Sequence, residues 1–354
     1  MYELKPDFEQ AKARLMAWWE GEILDRPPIM VTAPSGRNVS VPAKTHASLK
    51  DRWYDTEYVL DQQEAAMANT AYLGEALPVY WPNLGPDVFA GMLGCPILFG
   101  ESTSWSEPIV DTWDDLDRVA LDEGSEYLQK LDELTDAALE RARGRYIVGY
   151  TDMHPGADCA AALRDPQRLC MDLYDAPEMV DRLLDLTREP FFQVFGHFAA
   201  KLRRAGSYVT TWLPLICEGT FHIPSNDFSY MLSPKMVERF FIDTTIEECD
   251  RTDRSVFHLD GRGSIPHLDL LLEIPTLDGI QPTVGAGDHF DGEWLRVVQR
   301  TQAAGKRVLM IGGMDVIDAV MDACPPEGIL FHTSVGSIEE AEALIHRVAA
   351  WKAP

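Results

Sequence analysis

The sequence predicts an α/β fold: one (β/α)8 barrel domain over residues 1–354, with a short N-terminal helical extension over residues 1–25. Three observations carry this. The chain has 354 residues and is 46% hydrophobic, an ordinary globular share in somewhat more than the ~250 residues typical of such a barrel. Eight short apolar or β-branched stretches alternate with longer amphipathic ones. No G-x-G-x-x-G follows the first stretch, which disfavours the alternative, a doubly wound dinucleotide-binding sheet.

The extension is rich in helix formers, read at Phe8, Ala11, Leu15, Trp18 and Trp19. The strand stretches are 29–33, 78–81, 145–150, 209–215, 255–260, 277–281, 307–311 and 328–332. Between them, helical periodicity covers 54–72, 114–143 and 177–204. Ser233-Pro234 has the form of an N-cap followed by proline at the first helical position. Shorter helices fit 266–272, 294–304, 316–323 and 338–351.

Charge narrows the function. Lys and Arg number 31 and Asp and Glu 57, a net charge of −26. Phosphate contacts need clustered cations, so a nucleic-acid binder is disfavoured, as is docking on an anionic membrane. Six cysteines show no framework spacing and read as reduced thiols. With no leader pattern at the first residues and no membrane-length apolar run, a cytoplasmic protein is expected.

A barrel gathers its chemistry at the C-terminal ends of its strands. The sharpest pattern there is Phe257-His258-Leu259-Asp260-Gly261. Residues i and i+2 of a strand share a face, so His258 and Asp260 point the same way. They suit a divalent metal, an acid–base pair, or a hydrogen bond that only pins the strand end. His332 ends the last strand and is the expected third ligand, leaving an open position for water or substrate. Glu218, after the fourth strand, is a candidate fourth ligand or general acid. Asp227 precedes the Ser233-Pro234 helix start and serves chemistry or merely turns the chain. Arg37, Asn83, Asp152, His154, Trp212 and Gln281 sit at other strand ends as candidate substrate contacts. Trp81, Trp105 and Trp212 are candidate cavity walls or rim packing.

These residues together resemble the uroporphyrinogen decarboxylase superfamily, which also holds the zinc-dependent methyltransferases acting with cobamide proteins. The resemblance runs from about residue 23 to the end. Pro27-Pro28-Ile29-Met30 with Gly36-Arg37 is similar to the family's first strand and glycine-arginine loop. Ile147 to Asp152 is similar to its third-strand turn, with Asp175-Ala176-Pro177-Glu178 in the helical region after it. Asp227 to Ser233-Pro234 and Phe240 is similar to its acidic loop before a Ser-Pro helix. His258-x-Asp260-Gly261 resembles the methyltransferases' H-x-C-G zinc motif with Asp in place of Cys. His332, near Ile338-Glu339-Glu340, falls close to the family's last-strand His or Cys, which aligns with His332 or with Ser334.

The departures separate the branches. Ala33 stands where porphyrinogen decarboxylases carry an arginine, and Asn83 where they carry an essential aspartate. The resemblance therefore implies a methyltransferase of a small methylated substrate or methyl acceptor. His258, Asp260 and His332 would hold Zn2+, with His258, Asp260, Asp227 and Glu218 as catalytic groups. The corrinoid would be carried by a separate protein, because the chain has no D-x-H-x-x-G motif. A homodimer is also implied. The alternatives are a metal-independent decarboxylase or lyase, with Arg37 holding a carboxylate, and a non-catalytic ligand-binding barrel.

Overall fold

The computed structural model describes residues 2–352. Eleven strands occur in order: β1 (Ile29–Pro34), β2 (Thr70–Gly74), β3 (Val79–Tyr80), β4 (Ile97–Phe99), β5 (Ser104–Ser106), β6 (Ile147–Val148), β7 (Phe221–His222), β8 (Arg254–Asp260), β9 (Gly279–Thr283), β10 (Arg307–Ile311) and β11 (Ile329–Ser334). Seven form one mainly parallel sheet in the order β2-β1-β11-β10-β9-β8-β7. Only β2 runs antiparallel, on β1. The protein is thus a mixed α/β fold with helices between its parallel strands. No helix among the described residues is long and apolar enough to cross a membrane.

The expected closed cylinder is absent as a continuous hydrogen-bonded sheet among the described residues. β2 occupies the free edge of β1, and β3 pairs only with β6. The expected strand at 209–215 reduces to one bridge, Val209 to Thr220. Pro214 has no N–H for a ladder, and the Thr210 hydroxyl turns inward to the Leu213 and Leu215 carbonyls instead.

Alternation along the strands still sorts the side chains into layers. Met30, Val79, Ile147, Phe221, Val256, Leu309 and Leu330 come from seven strands and pack in one cluster. Helix α1 (Phe8–Trp19), in the expected helical extension, joins that cluster through Phe8, Ala11, Leu15, Trp18 and Trp19. The two indoles anchor it: Trp18 donates to the Gly328 carbonyl at 2.9 Å and Trp19 to the Ile216 carbonyl at 2.8 Å. The opposite faces of the strands pack on helices, as Phe257 and Leu259 do on Leu268, Leu271 and Trp294. Val256 thus fixes the inner face of β8, and His258 and Asp260 follow it upward on that face.

One polar network is wholly buried. Tyr150 donates to the Phe221 carbonyl at 3.1 Å and lies 3.0 Å from Nδ1 of His222, whose Nε2 is 2.8 Å from Glu248. Phe191 and Phe195 pack on the imidazole. Burial favours the uncharged forms, holding His222 down at about 3 and Glu248 well above the ordinary carboxyl range. One proton arrangement satisfies every group: His222 Nδ1–H donates to the tyrosine oxygen, and protonated Glu248 donates to Nε2.

Glu248→Gln keeps a donor for Nε2 and should fold normally. Glu248→Ala leaves the nitrogen unpaired and should cost roughly 1–3 kcal/mol in urea unfolding. A carboxyl raised on folding stabilises fully below its unfolded value and loses that contribution as pH climbs toward its folded value. The stability of the Gln variant relative to wild type should therefore increase from about pH 5 to about pH 8; a constant difference would contradict a protonated Glu248.

Candidate functional site

Beyond the inner cluster, β8 delivers His258 to a cavity of about 560 Å³, with Asp260 two residues further along the same face. Trp105, Asp152, His154, Asp158, Trp212, Asp227 and His258 are among its lining residues. Gly261, with φ of +71°, turns the chain off the strand, and a Cβ there would lie 2.8 Å from the Tyr230 ring.

The register of β8 on β9 sets His258 opposite Gln281. Gln281 is 1% exposed, and its amide nitrogen donates to the Thr283 hydroxyl at 2.5 Å and to the Pro282 carbonyl at 3.2 Å. Its amide oxygen is therefore turned to Nδ1 of His258 and takes that hydrogen. The neutral imidazole is left with a lone pair on Nε2, the form a metal or a transferred proton requires. The Trp212 ring meets the imidazole edge-to-face at 5.3 Å.

Asp227 arrives from another element. His258 N–H donates to the Pro224 carbonyl at 2.9 Å, and Ser225 bridges to His258 as an added strand residue. Asp158 fixes the next turn, accepting the N–H groups of Asp227 at 3.1 Å and Phe228 at 2.8 Å. Donor atoms of Asp227, His258 and Asp260 then lie within 4.8 Å of one another, a group able to hold a metal ion. Burial and the Asp227 carboxylate raise the Asp260 carboxyl, against the pull of His258. Burial and Asp227 push Asp158 up to about 6.

A second pair stands in the same cavity. His154 Nε2 lies 3.1 Å from Asp152, which also accepts the Trp212 indole N–H at 2.8 Å. Burial opposes charge on both partners, but their mutual attraction prevails. It lifts His154 to about 10, aided by Asp158 and Asp227, and lowers Asp152. His154 Nδ1 is buried without a partner.

Asp152, His154, Trp212, Asp227 and His258 thus share this cavity, and Asp260 adjoins it through the donor group. Gln281 stands behind His258, sealed from solvent. The expected metal set is corrected at its third member. Asp227, and not His332, stands with His258 and Asp260. His332 is on β11, separated from β8 by the two strands β10 and β9, and pairs with Met30 and Ile311. Burial lowers its pKa.

Glu218 is likewise misplaced by the sequence reading. Its side chain is 75% exposed and pairs with Lys12 of α1 at 2.8 Å. It lies beside Arg254, at the start of β8 and so at the opposite end from Asp260. Arg37 sits on an exposed loop whose N–H is held by Ser35, outside this cavity. Asn83 caps its own turn at Gly85 and, with Trp81, lines a different cavity of about 430 Å³. Asp158 was missed. It stands in the first turn of the helix Ala157–Arg164, four residues after His154, and acts on backbone groups that no local spacing points to.

No protein-family model matches this chain, and no curated protein matches it. A solved methyltransferase from Methanosarcina mazei shares the fold, with a TM-score of 0.60 and 15% identity over 96% of this chain and 98% of that one.

Asp152→Asn removes the partner that does most to keep His154 protonated and leaves burial opposed only by Asp158 and Asp227. His154 should titrate clearly below the parent's value of about 10 in the variant and remain protonated through neutral pH in the parent. NMR titration of the imidazole distinguishes the two; an unmoved His154 would refute the electrostatic account.

Proposed function

We propose that this chain is a barrel-class methyltransferase. It would hold Zn2+ on Asp227, His258 and Asp260 and exchange a methyl group between a small substrate and a corrinoid carried by a separate protein. The observation that carries the reading is the donor group itself, at the wall of a cavity, with its imidazole already in the metal-binding tautomer. Two further points support it. His258-x-Asp260-Gly261 resembles the H-x-C-G zinc motif, and the fold is shared with a protein named as a methyltransferase. The packing of inner residues from seven strands with α1 in one cluster supports a barrel, as does the cavity lying where β8 ends.

The donor chemistry fits a catalytic divalent ion: one imidazole nitrogen and two carboxylates, with room for substrate. Asp260 in place of a thiolate makes the set harder. When bound, the ion would supply Lewis acidity to the substrate heteroatom. The residues supply the rest. Gln281 orients His258. Asp158 holds the Asp227 loop. Trp105 and Trp212 give apolar walls, and the His154–Asp152 pair stands in the same cavity.

The decarboxylase alternative has less support. It needs a cation to hold a carboxylate, and Arg37 lies outside the cavity, which no lysine or arginine lines.

Metal-loaded protein should contain about one Zn2+ per chain by elemental analysis. His258→Ala and Asp227→Asn should abolish that stoichiometry, whereas His332→Ala should retain it. Gln281→Leu should weaken affinity by about 10- to 100-fold, because it removes only the partner that fixes the tautomer. Full zinc content in the His258→Ala variant would overturn the site.

A further inference from the structure

Of the three donors, only Asp260 lacks a side-chain partner. Gln281 orients the His258 imidazole, and the Ser225 hydroxyl donates to Asp227 at 3.0 Å. The Asp260 carboxylate makes no hydrogen bond among the described residues, so its backbone sets its place. That backbone is the last rung between β8 and β9. Asp260 pairs with Thr283, and the Gly261 N–H donates to the Thr283 carbonyl at 2.9 Å. The Ser264 hydroxyl donates to the Asp260 carbonyl at 2.7 Å. A terminal rung frays unless the chain beyond it is tied down.

Arg262 ties it. Its Nε and Nη2 fork onto Asp288 at 2.6 and 3.0 Å. Nη2 also donates to Asp291 at 2.8 Å, and Nη1 donates to Glu293 at 2.7 Å. Asp291 is the N-cap of helix Gly292–Ala303, and its other oxygen accepts the Glu293 and Trp294 N–H groups. One guanidinium thus fastens the chain just past Asp260 to the start of a helix. Among the described residues, loop 284–291 makes no other hydrogen bond outside itself and that helix. The loop also runs close over the end of β8, where a Cβ at Gly285 would lie 3.3 Å from the Gly261 Cα. A single exposed ion pair contributes little. Here three carboxylates share one fork, a geometry that lysine cannot reproduce.

We propose that Arg262 is a positioning residue of the metal site. Its clamp on Asp288, Asp291 and Glu293 keeps the Asp260–Thr283 rung closed and so holds Asp260 beside His258 and Asp227. This rests on the donor group binding a divalent ion, as the methyltransferase reading has it. Charge alone predicts the opposite effect. A guanidinium two residues from a ligand repels a divalent cation, and its removal frees three carboxylates that attract one.

The affinity of the full chain for Zn2+ alone, measured by chelator competition, separates the two. Arg262→Gln and Arg262→Lys should each weaken it roughly tenfold, the low end for loss of a group that supports a metal ligand. In an Asp260→Asn background neither should weaken it further. Amide exchange in the metal-free chain gives a second readout. Residues 261–264 should exchange several-fold faster in both variants, while helix Pro177–Arg204 stays protected and shows that the fold is intact. Affinity that is unchanged or tighter in the Gln variant, wild-type affinity in the Lys variant, an equal loss in the Asp260→Asn background, or unaltered exchange at 261–264 would each overturn the proposal. Faster exchange in a chain that takes up no Zn2+ would sink the metal-site reading and leave the clamp. Equal Zn2+ binding by parent and Gln variant would sink the positioning role alone.

Discussion

The register of β8 on β9 is the constraint on which the site depends. It pairs His258 with Gln281 and Asp260 with Thr283. Gln281 is oriented by its own strand, through Pro282 and Thr283, so the hydrogen on His258 is assigned by backbone pairing and not by anything in the cavity. A slip of one residue would turn His258 and Asp260 to the helical side and bring Phe257 and Leu259 inward. The apolar partners of those two residues, Leu268, Leu271 and Trp294, oppose that slip. Packing on the outer face therefore enforces the polar geometry on the inner one. The Asp227 loop inherits the same register, because it reaches the site through the bridge of Ser225 to His258.

Local pattern was enough to read much of this. The helix formers among the first 25 residues predicted a helical extension, where α1 now stands, and period two along the strand predicted that His258 and Asp260 share a side. Both depend only on residues within one element. Which elements meet is a different question. His332 and His258 each end a strand, but two strands intervene, and nothing in either segment counts them. Glu218 was misread because the stretch 209–215 looked like a strand ending at the mouth. Pro214 broke it, and the chain put Glu218 against Lys12 at the other end. Asp158 was invisible for the opposite reason. It works through backbone N–H groups some seventy residues away, and no sequence spacing encodes that contact.

The carboxylates of the cavity are held by structure before any ligand arrives. Asp158 organises the Asp227 loop, Asp165 caps a helix, Asp87 ties the β4–β5 hairpin, and Asp152 keeps His154 charged. Each hydrogen bond offsets part of the cost of removing that charge from water. None offsets the repulsion among them, and the rise of Asp158 to about 6 beside Asp227 is its visible trace. A fold seeking only stability would place an arginine here. The chain has arginines nearby and spends them elsewhere: Arg164 on Asp172 and the carbonyls of Val110 and Asp111, and Arg168 on Asp111. Residual repulsion at one wall is the mark of a site whose missing charge comes from outside the chain. On the present reading a metal ion on Asp227, His258 and Asp260 supplies it. The same imbalance disfavours a carboxylated substrate, because no lysine or arginine lines the cavity and its one charged imidazole, His154, is already paired with Asp152.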